Sequence, residues 1–280
     1  MKLEIPSALE PFLAAWSVLV GLAVGSFANV VVARVPAGES VVSPRSRCPR
    51  CKAPIRWYDN LPVVSWLALR ARCRSCGARI SVRYPAVELA GAAVALIALA
   101  RHGASLAALA EFGFVVTLLI LALIDADTWL LPNAITWPLL GSGLLLGAVG
   151  LTPAGSFRPA LYGAGLGFGA FALLAWGAEK ALRKEALGFG DVWLLAALGA
   201  WMGVAALLPV VLLASLQGSV VGVALMALGK AQPGGEPRAD GWTPPRNAVP
   251  FGPFLVAGAL EWLWLGDRLA RAVPVLRLFR

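Results

Sequence analysis

Two sets of residues in this sequence carry chemistry: a few acids set in apolar surroundings, and four cysteines in two pairs. The acids within or at the ends of apolar runs are Glu88, Glu111, Asp125, Asp127, Asp191 and Glu261. Hydrocarbon cannot solvate a carboxylate, so each is a candidate for function. Asp191 stands in Gly188-Phe189-Gly190-Asp191, at the head of a run with no Lys, Arg, Asp or Glu until Lys230. Gly188 and Gly190 leave the backbone free to turn and let another chain come close. Asp125 closes a second run, in Leu123-Ile124-Asp125-Ala126-Asp127. Two carboxylates brought together cannot both ionise easily, so the pair holds one proton. Such a pair can hydrolyse a peptide without a Ser or Cys nucleophile. The ionised carboxylate takes a proton from the attacking water, and the protonated one donates to the scissile carbonyl or the leaving amine. A plainer role is open to Asp191 and Asp127, the N-capping of a helix. Capping does not account for Asp125, at a helix C-terminal end where the dipole opposes a negative charge.

The cysteines are Cys48-Pro49-Arg50-Cys51 and Cys73-Arg74-Ser75-Cys76, with 21 residues between the pairs. Each pair presents two thiolates from a tight turn, and four thiolates close a tetrahedral zinc shell with no position left for water. The separation lies just beyond the usual range for such pairs, but all four cysteines of the chain are used. Two disulfides are the alternative, disfavoured in a reducing compartment. A cluster held by the four thiolates is a weaker one.

These groups must be positioned by membrane helices. The composition is 59% hydrophobic and 14% charged, with mean hydropathy +0.76 and net charge +9. Soluble domains carry about 25% charged residues, so an all-α polytopic membrane protein is expected. The first span covers about 12–32, within a first segment 1–33, and no cleavable signal is evident. Gly25, Ser26 and Asn29 in it read as helix-packing residues, with Asn29 needing a partner in the bundle. Residues 34–83 form the one sizeable polar domain, with 11 basic residues against Glu39 and Asp59. The positive-inside rule places it in the cytoplasm. Residues 84–280 form the membrane core. Apolar runs at about 84–101, 106–124, 132–150, 159–179, 191–207, 209–229 and 249–266 bring the total to about eight spans. Gly203 and Pro209 mark the turn that splits the long run 192–229. Segment 231–250, rich in Pro and Gly, reads as an irregular loop. Alternating the spans puts Asp125 and Asp191 at the same depth on the cytoplasmic face. It puts Glu111 and Glu261 toward the outer side, which makes them poor candidates, and His102, the only histidine, falls by an outer loop and reads as incidental. The basic C-terminus lies on the wrong side for the charge rule, so 249–266 either crosses incompletely or is followed by a tail along the outer surface. The basic loop suits anionic lipid headgroups, and nothing supports nucleic-acid binding.

Taken in order, these motifs resemble the bacterial prepilin peptidase family, the bifunctional leader peptidase/N-methyltransferases. The resemblance spans nearly the whole chain. It rests on Gly25-Ser26-Phe27-Ala28-Asn29-Val30-Val31, the two cysteine pairs, and Asn60-Leu61-Pro62-Val63-Val64-Ser65-Trp66-Leu67 between them. Ile80-Ser81-Val82-Arg83-Tyr84-Pro85-Ala86-Val87-Glu88, Ile124-Asp125 with Leu131-Pro132, Gly188 to Asp191 and Pro250-Phe251-Gly252-Pro253-Phe254 complete it. The resemblance implies an aspartic peptidase of the bacterial inner membrane, with Asp125 and Asp191 as the catalytic pair. It implies prepilin or pseudopilin substrates cleaved at the cytoplasmic face, and methylation of the new N-terminus from S-adenosylmethionine. It also implies that the cysteine insertion binds zinc. Trp193 departs from the pattern, since the family usually carries Lys there. Gly163 to Gly169, which are glycine-rich, read as a small-residue packing face and not as a cofactor loop. A transporter relaying protons through the Asp pair is the competing reading from another class, and a non-enzymatic assembly factor is a third.

Overall fold

A computed structural model describes residues 7–182, 188–229 and 248–279. The described residues are mostly helical and form no strand, only two isolated bridges. Eight long helices correspond one for one to the eight apolar runs. They are α1 (Glu10–Arg34), α3 (Arg83–His102), α4 (Leu106–Thr128), α5 (Asn133–Ala148), α6 (Phe157–Leu182), α7 (Phe189–Met202), α8 (Val204–Ala227) and α9 (Gly252–Ala272), with a short α2 (Val64–Ala68) in the polar insertion. Five of them, α1, α3, α4, α6 up to Gly177, and α8, are long and apolar enough to cross a membrane. Helix α7 is apolar but only 14 residues long, and α5 only 16. Helix α9 carries Glu261, Asp267, Arg268 and Arg271 and is not among these five. The expected loop at 231–250 lies outside the described residues except for 248–250.

Two boundaries differ from expectation for physical reasons. The break between α7 and α8 falls at Gly203, whose φ of +80° suits a residue without a Cβ. Pro209 lies inside α8, at its sixth residue, past the first turn, so it removes one i→i−4 hydrogen bond from the helix without ending it. Helix α4 continues past 124 to Thr128, so Asp125 sits within its last turn, at the helix C-terminal end as expected. The helix closes on Trp129, at φ +56°, whose N–H donates to the Asp125 carbonyl at 2.8 Å.

The chain divides into two compact units, residues 1–120 and 121–280. In the first, α1 packs along α3. A Cβ on Gly25 would lie 2.7 Å from the Glu88 Cα, so glycine permits this backbone approach. Asn29 Nδ2 donates to the Tyr84 carbonyl at 3.2 Å and to that of Gly25 at 3.3 Å, which supplies the partner it needed. Arg101 and His102 at the end of α3 both meet the buried Glu111, at 3.0 and 2.6 Å. His102 is thus not incidental. In the second unit α7 is the central helix, buried at Val192 and from Leu194 to Met202 and packed on α5 and α6. Gly163 and Gly167 of α6 take the α7 backbone against them, as the packing reading requires. Leu208, Leu212, Leu216 and Val220 form an exposed apolar stripe along α8, a surface suited to hydrocarbon.

Candidate functional site

Asp125 and Asp191 line one cavity of about 220 Å³ in the second unit, with Trp129, Leu131, Gly190 and Trp193. The last turn of α4 supplies Asp125 and the first turn of α7 supplies Asp191. Asp125 is buried, while Asp191 is partly open. Asp191 does not cap its helix: Gly188 is the N-cap, no side chain makes a cap hydrogen bond, and Asp191 is the third helical residue. Asp127 is exposed near the end of α4 and cannot cap that helix's N-terminus. The other candidates lie elsewhere. Glu111 is held by Arg101 and His102, Glu261 accepts from Gln217 Nε2 at 2.8 Å, and Glu88 accepts from the Val63 N–H at 2.7 Å.

One contributor was not legible beforehand. The N–H of Gly252, first residue of α9, donates to Asp125 Oδ2 at 3.0 Å. A Cβ at Gly252 would lie 2.6 Å from that oxygen, so only glycine allows the contact. A helix N-terminus thereby faces the carboxylate, an arrangement that favours an anion. The Pro250 to Phe254 motif was visible in the sequence, but a backbone donor leaves no side-chain signature.

The two glycines of the Asp191 motif differ. A Cβ on Gly190 would meet the Leu131 Cβ at 2.8 Å, so Gly190 lets α7 start close beside Leu131. A Cβ on Gly188 would meet only Asp191 Oδ2, at an ordinary 3.6 Å. Gly190→Val and Gly252→Ala are therefore expected to lower kcat for peptide cleavage by on the order of 10²-fold with little change in KM. Gly188→Ala should retain most activity. Steady-state kinetics on the three variants checks this, and equal losses at 188 and 190 would contradict it. Trp193 packs at 4.8 Å on Phe168 and edge-on at 5.7 Å to Trp137. The position that usually carries Lys thus adds an aromatic wall to the cavity.

The four cysteine Sγ atoms lie within 4.8 Å of one another, and no two are disulfide-bonded. Cys48 and Cys76 are 3.9 Å apart. Ligands at about 2.3 Å in a tetrahedron stand about 3.8 Å from each other, so the cluster has the size of a metal shell. Each pair sits on a matching turn. Cys48 N–H donates to the Ala53 carbonyl and Lys52 N–H back to that of Cys48, as Cys73, Ala78 and Gly77 do in the second. The residue after each second cysteine, Lys52 or Gly77, has positive φ. The backbone N–H groups of Cys51 and Arg50 hold the Cys48 thiol down at about 6, so it is a thiolate at neutral pH. The Ala78 N–H lowers the Cys76 thiol, but desolvation and the neighbouring sulfurs outweigh it and push it up to about 11. A bound cation would displace that proton.

Fold and cavity together define a class: a multi-pass helical membrane protein with two carboxylates in one cavity and a cluster of four cysteines that could hold a metal. Residues 19–102 match the bacterial peptidase A24 N-terminal domain, and residues 112–223 match the type IV leader peptidase family. The prepilin leader peptidase/N-methyltransferase of Myxococcus xanthus is 40% identical, over 97% of this chain and 96% of that protein. Proteins of the same description from Burkholderia pseudomallei and Pseudomonas aeruginosa are each 39% identical, over 90% and 91% of this chain and 85% and 91% of their own lengths. This chain belongs to the type IV leader peptidase family. No solved structure matches it.

Proposed function

We infer that this chain is a membrane-embedded endopeptidase that removes leader peptides from prepilins and then methylates the new amino terminus. Its relatives at 37–40% identity bear that description along nearly their whole lengths. The observation that carries the peptidase chemistry is the sharing of one cavity by Asp125 and Asp191. In our reading these two are the catalytic pair. Asp125 accepts the Gly252 N–H and faces the α9 N-terminus, which suits the partner that carries the charge. It takes the proton of the attacking water. Asp191, partly open to the cavity, is the protonated partner that donates to the carbonyl oxygen and then to the leaving amine. The tight packing of Gly190 on Leu131 holds the two acids in register.

The remaining assignments follow from the same reading. The cysteine centre holds one structural zinc, since four thiolates leave no open ligand position. S-adenosylmethionine is the methyl donor. The bacterial inner membrane is the location, and the basic insertion places both it and the cleavage site at the cytoplasmic face, against anionic headgroups. A purified prepilin incubated with the enzyme in detergent and read by intact-mass spectrometry tests the whole. The expected products are a basic leader and a pilin heavier by one methyl group when S-adenosylmethionine is supplied. An uncut substrate would overturn the peptidase reading, and a cut but unmethylated one the methyl-transfer reading.

A further inference from the structure

The cavity that holds the aspartates has a wall that the proposed proton transfers do not use. Apart from the two acids, its lining among the described residues is mostly apolar: Trp129, Leu130, Leu131, Phe189 and Trp193, with Asn133 the one other polar side chain. No Lys, Arg or His among the described residues lines it. Trp193 is half-buried, and its ring is fixed from two sides. It packs at 4.8 Å against Phe168 of α6 and edge-on at 5.7 Å to Trp137 of α5. Rings braced in these geometries cannot swing aside without losing the contacts. The backbone beneath is fixed too, because Val192 and Leu194 on either side of Trp193 are buried in the core. Phe189 meets the same Phe168 edge-on at 6.2 Å and otherwise stands open, 59% exposed. The result is a preformed recess of about 220 Å³ with an aromatic wall beside Asp191.

We propose that Trp193 is a specificity-determining residue: with Phe189 it receives the side chain directly after the scissile bond and selects an aromatic or large aliphatic one. The proposal rests on the peptidase reading above. In that reading Asp191 gives its proton to the leaving amine, and that amine belongs to the residue after the cut. The side chain of that residue branches from the carbon bonded to the amine, so it must lie close to Asp191. Phe189 and Trp193 stand two residues before and two residues after Asp191 at the start of α7, and both line the same recess. An apolar side chain placed there exchanges water for aromatic surface. A carboxylate placed there would meet two acids and no cation among the described residues. The Lys that usually stands at this position carries an ammonium that would answer such a carboxylate, on a flexible stem that makes no fixed wall. Trp193 thus changes which substrates this chain prefers and leaves unchanged the bond that is cut.

A competition assay on the full chain in detergent tests this. Prepilins that carry Phe, Leu, Ala or Glu directly after the cut are mixed in pairs, and mass spectrometry of the products gives each ratio of kcat/KM. The ratio is internal to each tube, so a general loss of activity does not move it. The wild-type protein should prefer Phe to Ala by about tenfold or more and cut the Glu substrate least. Trp193→Lys should bring the Phe-to-Ala ratio close to one and raise the Glu substrate relative to Ala. Trp193→Phe should keep the wild-type order. Phe189→Ala, at an exposed position, should narrow the Phe-to-Ala ratio in the same direction. Equal cutting of the Phe and Ala substrates by the wild type would overturn the assignment and leave the peptidase reading intact. So would a Trp193→Lys protein, shown by thermal melting to be folded, that keeps the wild-type ratios. Should that variant fail to fold, an unchanged ratio in Phe189→Ala decides against the assignment instead. A wild-type protein that cuts none of the four substrates would remove this proposal and the peptidase reading together.

Discussion

Asp125→Asn and Asp191→Asn are each expected to lower the rate of leader cleavage by about 10³-fold or more while the purified protein stays folded. Both changes are nearly isosteric. An Asn at 125 keeps an oxygen that can accept the Gly252 N–H, so the seat of α9 on α4 is preserved. What is lost is the capacity to take or hold a proton, on which both halves of the proposed chemistry depend. Single-turnover cleavage of a synthetic prepilin, with melting temperature as the control, is the measurement. A variant that retained a tenth of the wild-type rate would end the assignment of the pair. The double variant should be no worse than either single one, because residues that act as one unit lose their effect together. The outcome also separates hydrolysis from a proton-relay transporter, in which both acids would matter but a peptide would not be cut.

How much of this site could be read from the chain follows from the kind of contact involved. The eight apolar runs each became a helix, because length and hydropathy are properties of contiguous sequence. The meeting of Asp125 and Asp191 was deducible from topology alone, since alternating spans return two such ends to one face. The four cysteines were legible because thiol pairs on tight turns have few other uses. Three features were not. The Gly252 N–H is a backbone donor and has no residue type to announce it. The Trp193, Phe168 and Trp137 contacts join three helices, so no local pattern holds them; the sequence marked Trp193 only as a missing Lys. Glu88 was visible as an acid at a helix start, yet its setting beside a strained Val63 and an open cavity depends on the folded insertion. His102 illustrates the converse error. A single histidine near a loop reads as incidental until the fold brings Glu111 to within 2.6 Å of it.

The insertion raises a question of stability whose answer is the second large effect. Among residues 34–82 only Cys48 and Ser65 are buried. A segment of that size has too little apolar surface to hide for hydrophobic burial to hold it, and small domains of this kind depend on a metal or disulfides. Disulfides are absent here. The exposed Arg74–Asp59 pair, with Arg74 half open to solvent, contributes at most about 1 kcal/mol. A structural zinc in small domains is worth about 10–16 kcal/mol, more than the rest of the segment can offer. Cys48→Ser combined with Cys73→Ser is therefore expected to take the zinc content from about one per chain to near none. With the metal gone, the two matching turns lose the link that would join them across 21 intervening residues, and limited proteolysis should cut rapidly within residues 34–83. Elemental analysis and the cleavage map read the two effects separately. A wild-type protein purified without metal would remove the zinc assignment. A double variant that loses zinc yet resists protease as the wild type does would show that the insertion folds on some other support, which its exposed side chains do not provide.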